Sequence, residues 1–383
     1  MITTLAVENY RSLRRLVVPL DRLNVITGAN GTGKSSLYRA LRLLAASARG
    51  GAVRALAQEG GLPSVLWAGE RDTGPVGLRL GFAGDEFGYA VDFGMPPSSG
   101  AGPGGAASMF ALDPEIKRES TWAGPVLRPA ALLCDRAGPS VRTRTADGGW
   151  HRTQGLRLYD SMLSEVADPQ LAPDLLRLRE LIRSWRFYDH VRTDADAPAR
   201  AARIGTRTPV LAHDGSDLAA ALQTIYEIGD DAALDAAVAD AFPGSRVRIV
   251  DSAGGRFEIQ LTQRGLKRPL GPAELSDGTL RYLLWTAALL TPRPPGLLVL
   301  NEPETSLHPE LLAPLAHLVL AAANASQVVV VTHARPLADA LARGAPRHRV
   351  DVNSIELIKE SGRTTVAGRE GLLDEPLWYW PKR

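Results

Sequence analysis

The run Gly28-Ala29-Asn30-Gly31-Thr32-Gly33-Lys34-Ser35, followed by Ser36, sets glycines, a lysine and hydroxyls at spacings that suit one chemistry. It fits the phosphate-loop pattern G-x-x-x-x-G-K-[ST] at every fixed position. Glycine lets the backbone turn back so that successive N–H groups face one anion. Lys34 is placed to reach the β- and γ-phosphates of a nucleotide, and the Ser35 hydroxyl to coordinate Mg²⁺. The flanks agree. Leu23–Thr27 reads as a short buried strand, and 35–48 as a helix with Leu37, Leu41, Leu44 and Ala45 on one face. The positive N-terminal end of that helix would face the phosphates.

A second stretch carries complementary chemistry. Leu297-Leu298-Val299-Leu300 is an apolar strand that ends in Asn301-Glu302-Pro303-Glu304. In phosphate-loop enzymes such a strand lies beside the loop. Its first polar residue faces Mg²⁺, and the next acidic residue orients and polarises the attacking water. Glu302 is therefore the expected general base and Asn301 the expected metal-facing residue. An aspartate is expected at 301; an amide brings no negative charge, so weaker metal binding and slow turnover are expected. Upstream, Ser276-Asp277-Gly278-Thr279 opens a helix with Ser276 as its N-cap, and serine and glycine at a helix N-terminus suit an anion. Downstream come Ser306-Leu307-His308-Pro309 and a valine strand ending in Thr332-His333. His333 there is within reach of a γ-phosphate, although a histidine at a strand end is more often structural.

These segments, in this order, resemble the ABC-type ATPases, specifically the soluble SMC/RecF-like class, and the predicted AAA-family ATPases called RecF-like. Ser276 to Thr279 is similar to the signature motif, Ser306 to Pro309 to the D-loop, and His333 to the switch histidine. Tyr10-Arg11-Ser12 resembles the aromatic-basic-serine motif that this class places against the nucleotide, which makes Arg11 an expected ATP contact. The resemblance covers 1–48 and 270–334 firmly and 60–265 in outline. It implies a P-loop NTPase fold of ABC type, an α/β architecture whose mixed sheet is joined by an antiparallel β-subdomain and an inserted helical region. One ATPase head would span 1–383, with 1–150 as lobe I, 151–265 as the insertion and 266–383 as lobe II. ATP and Mg²⁺ are the implied ligands, and a homodimer through ATP the implied assembly, with each signature acting on the other chain's nucleotide. A role in DNA repair follows by analogy alone. The alternatives are the ATPase of a phage-defence pair with a separate nuclease partner, and a nucleotide-binding scaffold with very slow turnover. Asn301 departs from the class, and Gln58 is the nearest candidate for its Q-loop glutamine.

The bulk composition narrows the field. With 383 residues, 44 basic and 42 acidic, the chain carries a net charge of +2 and no global footprint for nucleic acid. Local clusters remain at Arg142, Arg144 and Arg152, and at Arg177, Arg179, Arg183 and Arg186, and such clusters are more often solvated faces. Cys134 is the single cysteine, which excludes an internal disulfide and suits a reducing compartment. Met1 leads straight into a strand-like run and no apolar run approaches a membrane span, so a cytoplasmic protein without membrane contact is expected.

The elements that must position these residues follow from pattern. Strands are expected at 2–7 and 16–20, then an alternating pair at 76–82 and 87–93 around Ala83-Gly84-Asp85-Glu86. Residues 96–108, rich in Pro, Gly, Ser and Ala, read as a disordered loop. Strands at 130–135 and 141–145 precede a helix at 173–190, a helical hairpin at 217–228 and 231–242, and a β-hairpin at 246–250 and 257–261. An α/β alternation closes the chain: helix 278–290, strand 297–300, helix 310–323, strand 327–331, helix 336–342, then strands 354–359 and 364–367. No heptad run or internal repeat is present.

Overall fold

Val, Ile and Leu dominate the chain's short strands, and which of their faces are covered depends on the layers that pack around them. The computed structural model describes residues 1–70, 77–96, 109–110, 112–145, 147–189, 191–369 and 374–382. Most of the expected loop at 96–108, and Val76, lie outside the described residues. Packing separates two compact units. One comprises Met1–Asp21, Thr27–Trp185 and Ile355–Arg383, the other Arg22–Ile26 and Arg186–Ser354.

The first unit is built on an antiparallel sheet. The hairpin of β1 (Ile2–Tyr10) and β2 (Leu13–Pro19) runs longer than its apolar pattern, because β1 is paired on both sides. After β3 (Leu23–Thr27) and the helix Lys34–Ser47 come β4 (Gly77–Gly84) and β5 (Phe87–Gly94), joined at the predicted turn. To these are added β6 (Glu115–Ala123), β7 (Leu132–Ala137), β8 (Ser140–Arg144) and β9 (Trp150–Gln154). The sheet order is β2-β1-β4-β5-β6-β7-β8-β9. β5 is buried on both faces despite its alternating sequence. Phe82 packs edge-on against Trp185, and Trp378 from the C-terminal segment meets Trp122. β6 and β9 had no period-2 signal strong enough to mark them.

The second unit is organised by a parallel ladder. β10 (Arg186–Tyr188), β14 (Leu297–Asn301), β15 (Gln327–Val331) and β3 lie side by side in that order. Every residue of β14 and β15 is buried, as expected for parallel strands covered on both faces, and so 297–300 and 328–331 read as unbroken apolar runs. The helices Asp277–Leu289, Leu312–Ala322 and Arg335–His348 supply apolar cover. The helical hairpin of Leu218–Ile228 and Asp231–Ala241 turns at Gly229-Asp230, with the Asp230 carboxylate accepting from Ala233 N. It packs with a small antiparallel sheet of β11 (Arg203–Ile204), β12 (Arg246–Asp251) and β13 (Arg256–Thr262), to which Tyr226 Oη bonds through Val247 O at 2.9 Å. β16 (Val352–Glu360) begins in this unit and ends in the first, where it pairs with β17 (Arg363–Val366).

One expected element is corrected. The helix drawn over 173–190 stops at Ser184, and Arg186–Tyr188 is β10. The helical spacing of Leu175, Leu178 and Ile182 continues to Trp185, so the sequence hides the break. What ends the helix is tertiary: Arg186, Phe187 and Tyr188 pair with Leu298, Val299 and Leu300, and Arg49 bonds the carbonyls of Arg183 and Trp185. The helix drawn at 336–342 runs on to His348, with Pro346 inside it. Among the described residues, no helix is long and apolar enough to cross a membrane.

A fully buried ion pair fixes the first unit. Arg136 Nη1 lies 2.8 Å from Glu119 Oε2, and neither side chain is exposed. Tyr89 Oη donates to Glu119 at 2.7 Å, as do Ser161 Oγ and Met162 N at 2.5 and 2.7 Å. The Arg136 guanidinium also reaches the carbonyls of Gly138, Arg157 and Asp160. With its hydrogen bonds met, the pair is tolerated; removing one partner strands the other charge. Glu119→Ala should therefore lower unfolding stability by about 3–5 kcal/mol, read from urea denaturation.

Candidate functional site

The glycine loop follows β3 directly, and two of its glycines are dictated by close packing. Gly28 has φ 146°, and a Cβ there would sit 2.4 Å from Leu357 O on β16. Gly33, the N-cap of the helix Lys34–Ser47, has φ 105°, and a Cβ would sit 2.4 Å from Thr364 Oγ1 on β17. The C-terminal hairpin thus backs the loop. Thr364 Oγ1 donates to Thr32 O at 2.7 Å and lies 2.7 Å from Ser12 Oγ. Lys34 is buried, and its Nζ donates to Gly28 O and Ala29 O at 2.6 and 3.0 Å. Ala29, Asn30, Gly31 and Ser35 are exposed, Gly33 and Ser36 half-buried. The loop is folded around its own lysine with an open mouth at a helix N-terminus, a shape that fits an anion.

Tyr10-Arg11-Ser12 lies at the β1–β2 turn. Arg11 takes a left-handed φ of 52°, its Nη2 donates to Glu59 Oε2 at 2.7 Å, and Tyr10 Oη donates to the same oxygen at 2.6 Å. Burial, reinforced by Glu59, holds the Tyr10 phenol well above its usual range. Arg11 keeps about a third of its side chain exposed, at 32 %. Gln58, the residue considered for a Q-loop, is exposed at the end of the helix Ala52–Gln58. Neighbouring Glu59 makes the polar contacts instead.

In the second unit, the carboxyl ends of β14, β15 and β3 form one edge. Asn301 pairs with Val331, Val331 with Ile26, and Thr332 N donates to Ile26 O at 3.0 Å. The glycine loop begins two residues beyond Ile26. Glu302 leaves the end of β14 with φ 49°, a strained conformation for a residue with a Cβ, and its N–H is spent on Val331 O at 2.8 Å. Trp285 Nε1 on the helix beneath donates to Pro303 O at 2.9 Å, which holds the turn down.

Glu304 organises this edge, a role that nothing in the sequence assigned to it. Its Oε1 accepts from Thr332 Oγ1 at 2.5 Å, His333 N at 3.2 Å and Ala334 N at 3.3 Å. His333 Nδ1 then lies 3.4 Å from Glu304 Oε1 and 3.7 Å from Glu302 Oε1, with the ring half exposed. The only sequence signal was a third polar residue two beyond Glu302. Asn301, 9 % exposed, donates through Nδ2 to Asp189 Oδ1 at 2.9 Å, while its own Oδ1 is buried without a hydrogen-bond partner.

Ser276 caps the helix Asp277–Leu289, with its Oγ accepting from Thr279 N at 3.2 Å and lying 2.9 Å from Thr279 Oγ1. Ser276 and Asp277 are exposed. Gly278 lies against the Ser306 carbonyl, 3.2 Å from where a Cβ would be, so two motifs separated in sequence are neighbours. Arg200 clamps the segment: Nη1 donates to Pro272 O and Leu275 O at 2.5 and 2.8 Å, and Nη2 to Asp277 Oδ1 at 2.8 Å. No sequence pattern links Arg200 to residues more than seventy positions away.

The Glu304 staple is open to test. Glu304→Ala leaves three donors around His333 without their carboxylate, at a cost of about 1–3 kcal/mol. Amide exchange at His333 and Ala334 should accelerate in that variant and stay slow in Glu304→Gln, which keeps an acceptor oxygen.

Residues 23–338 match a family model described as "AAA domain, putative AbiEii toxin, Type IV TA system". No curated protein sequence matches the chain. Two solved structures are similar in fold. One is an Smc head bound to the C-terminal winged-helix domain of ScpA, with TM-score 0.53 and 14% identity, covering 96% of this chain and 97% of that one. The other is an Smc head with an extended coiled coil, bound to the C-terminal domain of ScpA derived from Pyrococcus furiosus, with TM-score 0.50, 12% identity and 96% and 95% covered. Identities this low speak for the fold alone, a P-loop NTPase fold of mixed α/β class. With the family match spanning most of its length, the chain belongs to that AAA-domain family, and it shares its fold with the Smc heads.

Proposed function

We propose that this chain binds ATP on the loop from Gly28 to Ser36 and hydrolyses it as a conformational switch that dimerises through the nucleotide. The observation that carries the reading is the polar edge at the end of the parallel ladder. Glu302 stands at φ 49° beside His333 and Glu304, at the end of a parallel sheet whose strand β3 runs on into the glycine loop. Lys34 and the loop amides hold the phosphates, Arg11 adds a contact, and Ser35 and Asn301 are the residues that would hold Mg²⁺. When bound, Mg²⁺ neutralises part of the phosphate charge. The buried, unpartnered Asn301 Oδ1 fits an electropositive neighbour. Among the described residues no cluster of three or more His, Cys, Asp or Glu could hold a metal unaided, which suits an ion that arrives with phosphates. Glu302 orients water for attack on the γ-phosphorus and takes its proton, and His333 contacts the γ-phosphate.

The cap Ser276 to Thr279, exposed at Ser276 and Asp277, is offered to a second copy. Its helix N-terminus would meet the γ-phosphate held by the partner chain, in a closed two-fold arrangement. Hydrolysis would remove the group that both chains hold. By analogy with the class, such a switch serves DNA repair or genome maintenance. The family description favours a second reading of the cellular role, a toxin-like protein acting with a separate effector or nuclease. Turnover measured with and without single- and double-stranded DNA separates the two, since only the first expects stimulation.

Lys34→Ala should abolish ATP binding measured by calorimetry, because the phosphates lose their positioned cation. Glu302→Gln should block hydrolysis yet leave binding intact, so light scattering with Mg²⁺-ATP should show an accumulated dimer. A monomeric Glu302→Gln at saturating ATP, together with Ser276→Arg hydrolysing like the parent, would overturn the sandwich.

A further inference from the structure

Two strands end side by side at the edge that carries Glu302. The parallel register aligns Tyr188 with Leu300, so Asp189, just past β10, and Asn301, the last residue of β14, come next, and their side chains meet at 2.9 Å. Asn301 Nδ2 gives its proton to Asp189 Oδ1. That bond fixes the amide plane and commits Asn301 Oδ1 to the other side, where it is buried with no donor facing it. A buried acceptor left unmet is costly, so its surroundings call for a donor or a cation. Asp189 is half-buried.

We infer that Asp189 supplies the negative charge of the divalent-cation site, transposed by one strand from the position where Asn301 brings none. The inference rests on the ATP reading and extends it by a residue. One carboxylate and one amide share the edge, with a net charge of −1 between them, as an aspartate at 301 and a neutral neighbour would. The two cannot both be carboxylates without repulsion at hydrogen-bond distance. An amide at 301 can instead donate to Asp189, and it keeps its own buried Oδ1 as a second oxygen. Both are hard oxygen donors of the kind that magnesium and manganese accept alongside phosphate. On this arrangement the amide at 301 does not weaken the cation site, contrary to the expectation from sequence.

The test compares the parent with Asp189→Asn, Asn301→Asp and the exchanged pair Asp189→Asn/Asn301→Asp. Free Mn²⁺ is followed by electron paramagnetic resonance in the presence of a non-hydrolysable ATP analogue. Binding of the analogue in EDTA is measured separately. Asp189→Asn should weaken Mn²⁺ binding by about tenfold or more while analogue binding in EDTA matches the parent. The exchanged pair should bring Mn²⁺ affinity back toward the parent's, which a merely structural role for Asp189 would not do. Asn301→Asp alone should melt at a lower temperature without cation and be raised by Mn²⁺ more than the parent is. Unchanged Mn²⁺ affinity in Asp189→Asn, or an exchanged pair no better than that single variant, overturns the inference while leaving the ATP reading standing. A parent that binds no analogue with or without Mn²⁺ overturns the ATP reading itself, and this inference with it.

Discussion

Everything proposed for this chain depends on a parallel ladder whose strands end in register. β14, β15 and β3 are short, mostly apolar and, but for Thr27, buried along their whole length, so water offers their backbones no alternative partner. Pairing Asn301 with Val331 and Val331 with Ile26 makes their carboxyl ends coincide. Each strand gives way to polar residues there: the Glu302 turn after β14, Thr332-His333 after β15, and the glycine loop beyond Thr27.

At that edge the backbone runs out of ladder partners, and side chains take over. Glu304 absorbs the N–H groups of His333 and Ala334 and the hydroxyl of Thr332, so the loop after β15 is held by one carboxylate. Trp285 pins the Pro303 carbonyl from below. These contacts hold Glu302 in a left-handed conformation that an isolated peptide would avoid, and strain of this kind survives only where the surroundings over-determine it.

The glycine loop is shaped by residues far along the chain. Thr364 and the Leu357 carbonyl, on the last hairpin, come so close to Gly33 and Gly28 that no other side chain fits. Thr364 also reaches Thr32 O, and Ser12 Oγ lies beside its hydroxyl, so the β1–β2 turn and the C-terminal hairpin are joined at the loop. The same unit buries Arg136 against Glu119 with every oxygen of that carboxylate bonded, which keeps a costly pair in place.

By itself the sequence determined the glycine loop, the apolar strands that precede Asn301 and His333, the helix cap at Ser276 and the hairpins around Asp85 and Gly254. All are local, written in spacings of two, three or four residues and in turn chemistry that neighbours cannot easily override. Only the tertiary structure decided the rest. Trp185 continues a helical spacing, yet the residues after it became β10, because a ladder with β14 offered their backbone more than another helical turn. That pairing brought Asp189 to Asn301 across 112 positions, and no period in the sequence records it. Arg200 on the segment that leads into the Ser276 cap and Thr364 behind the loop are of the same kind. Side chains that satisfy buried polar groups are selected by geometry in space, and chain spacing carries no trace of that choice.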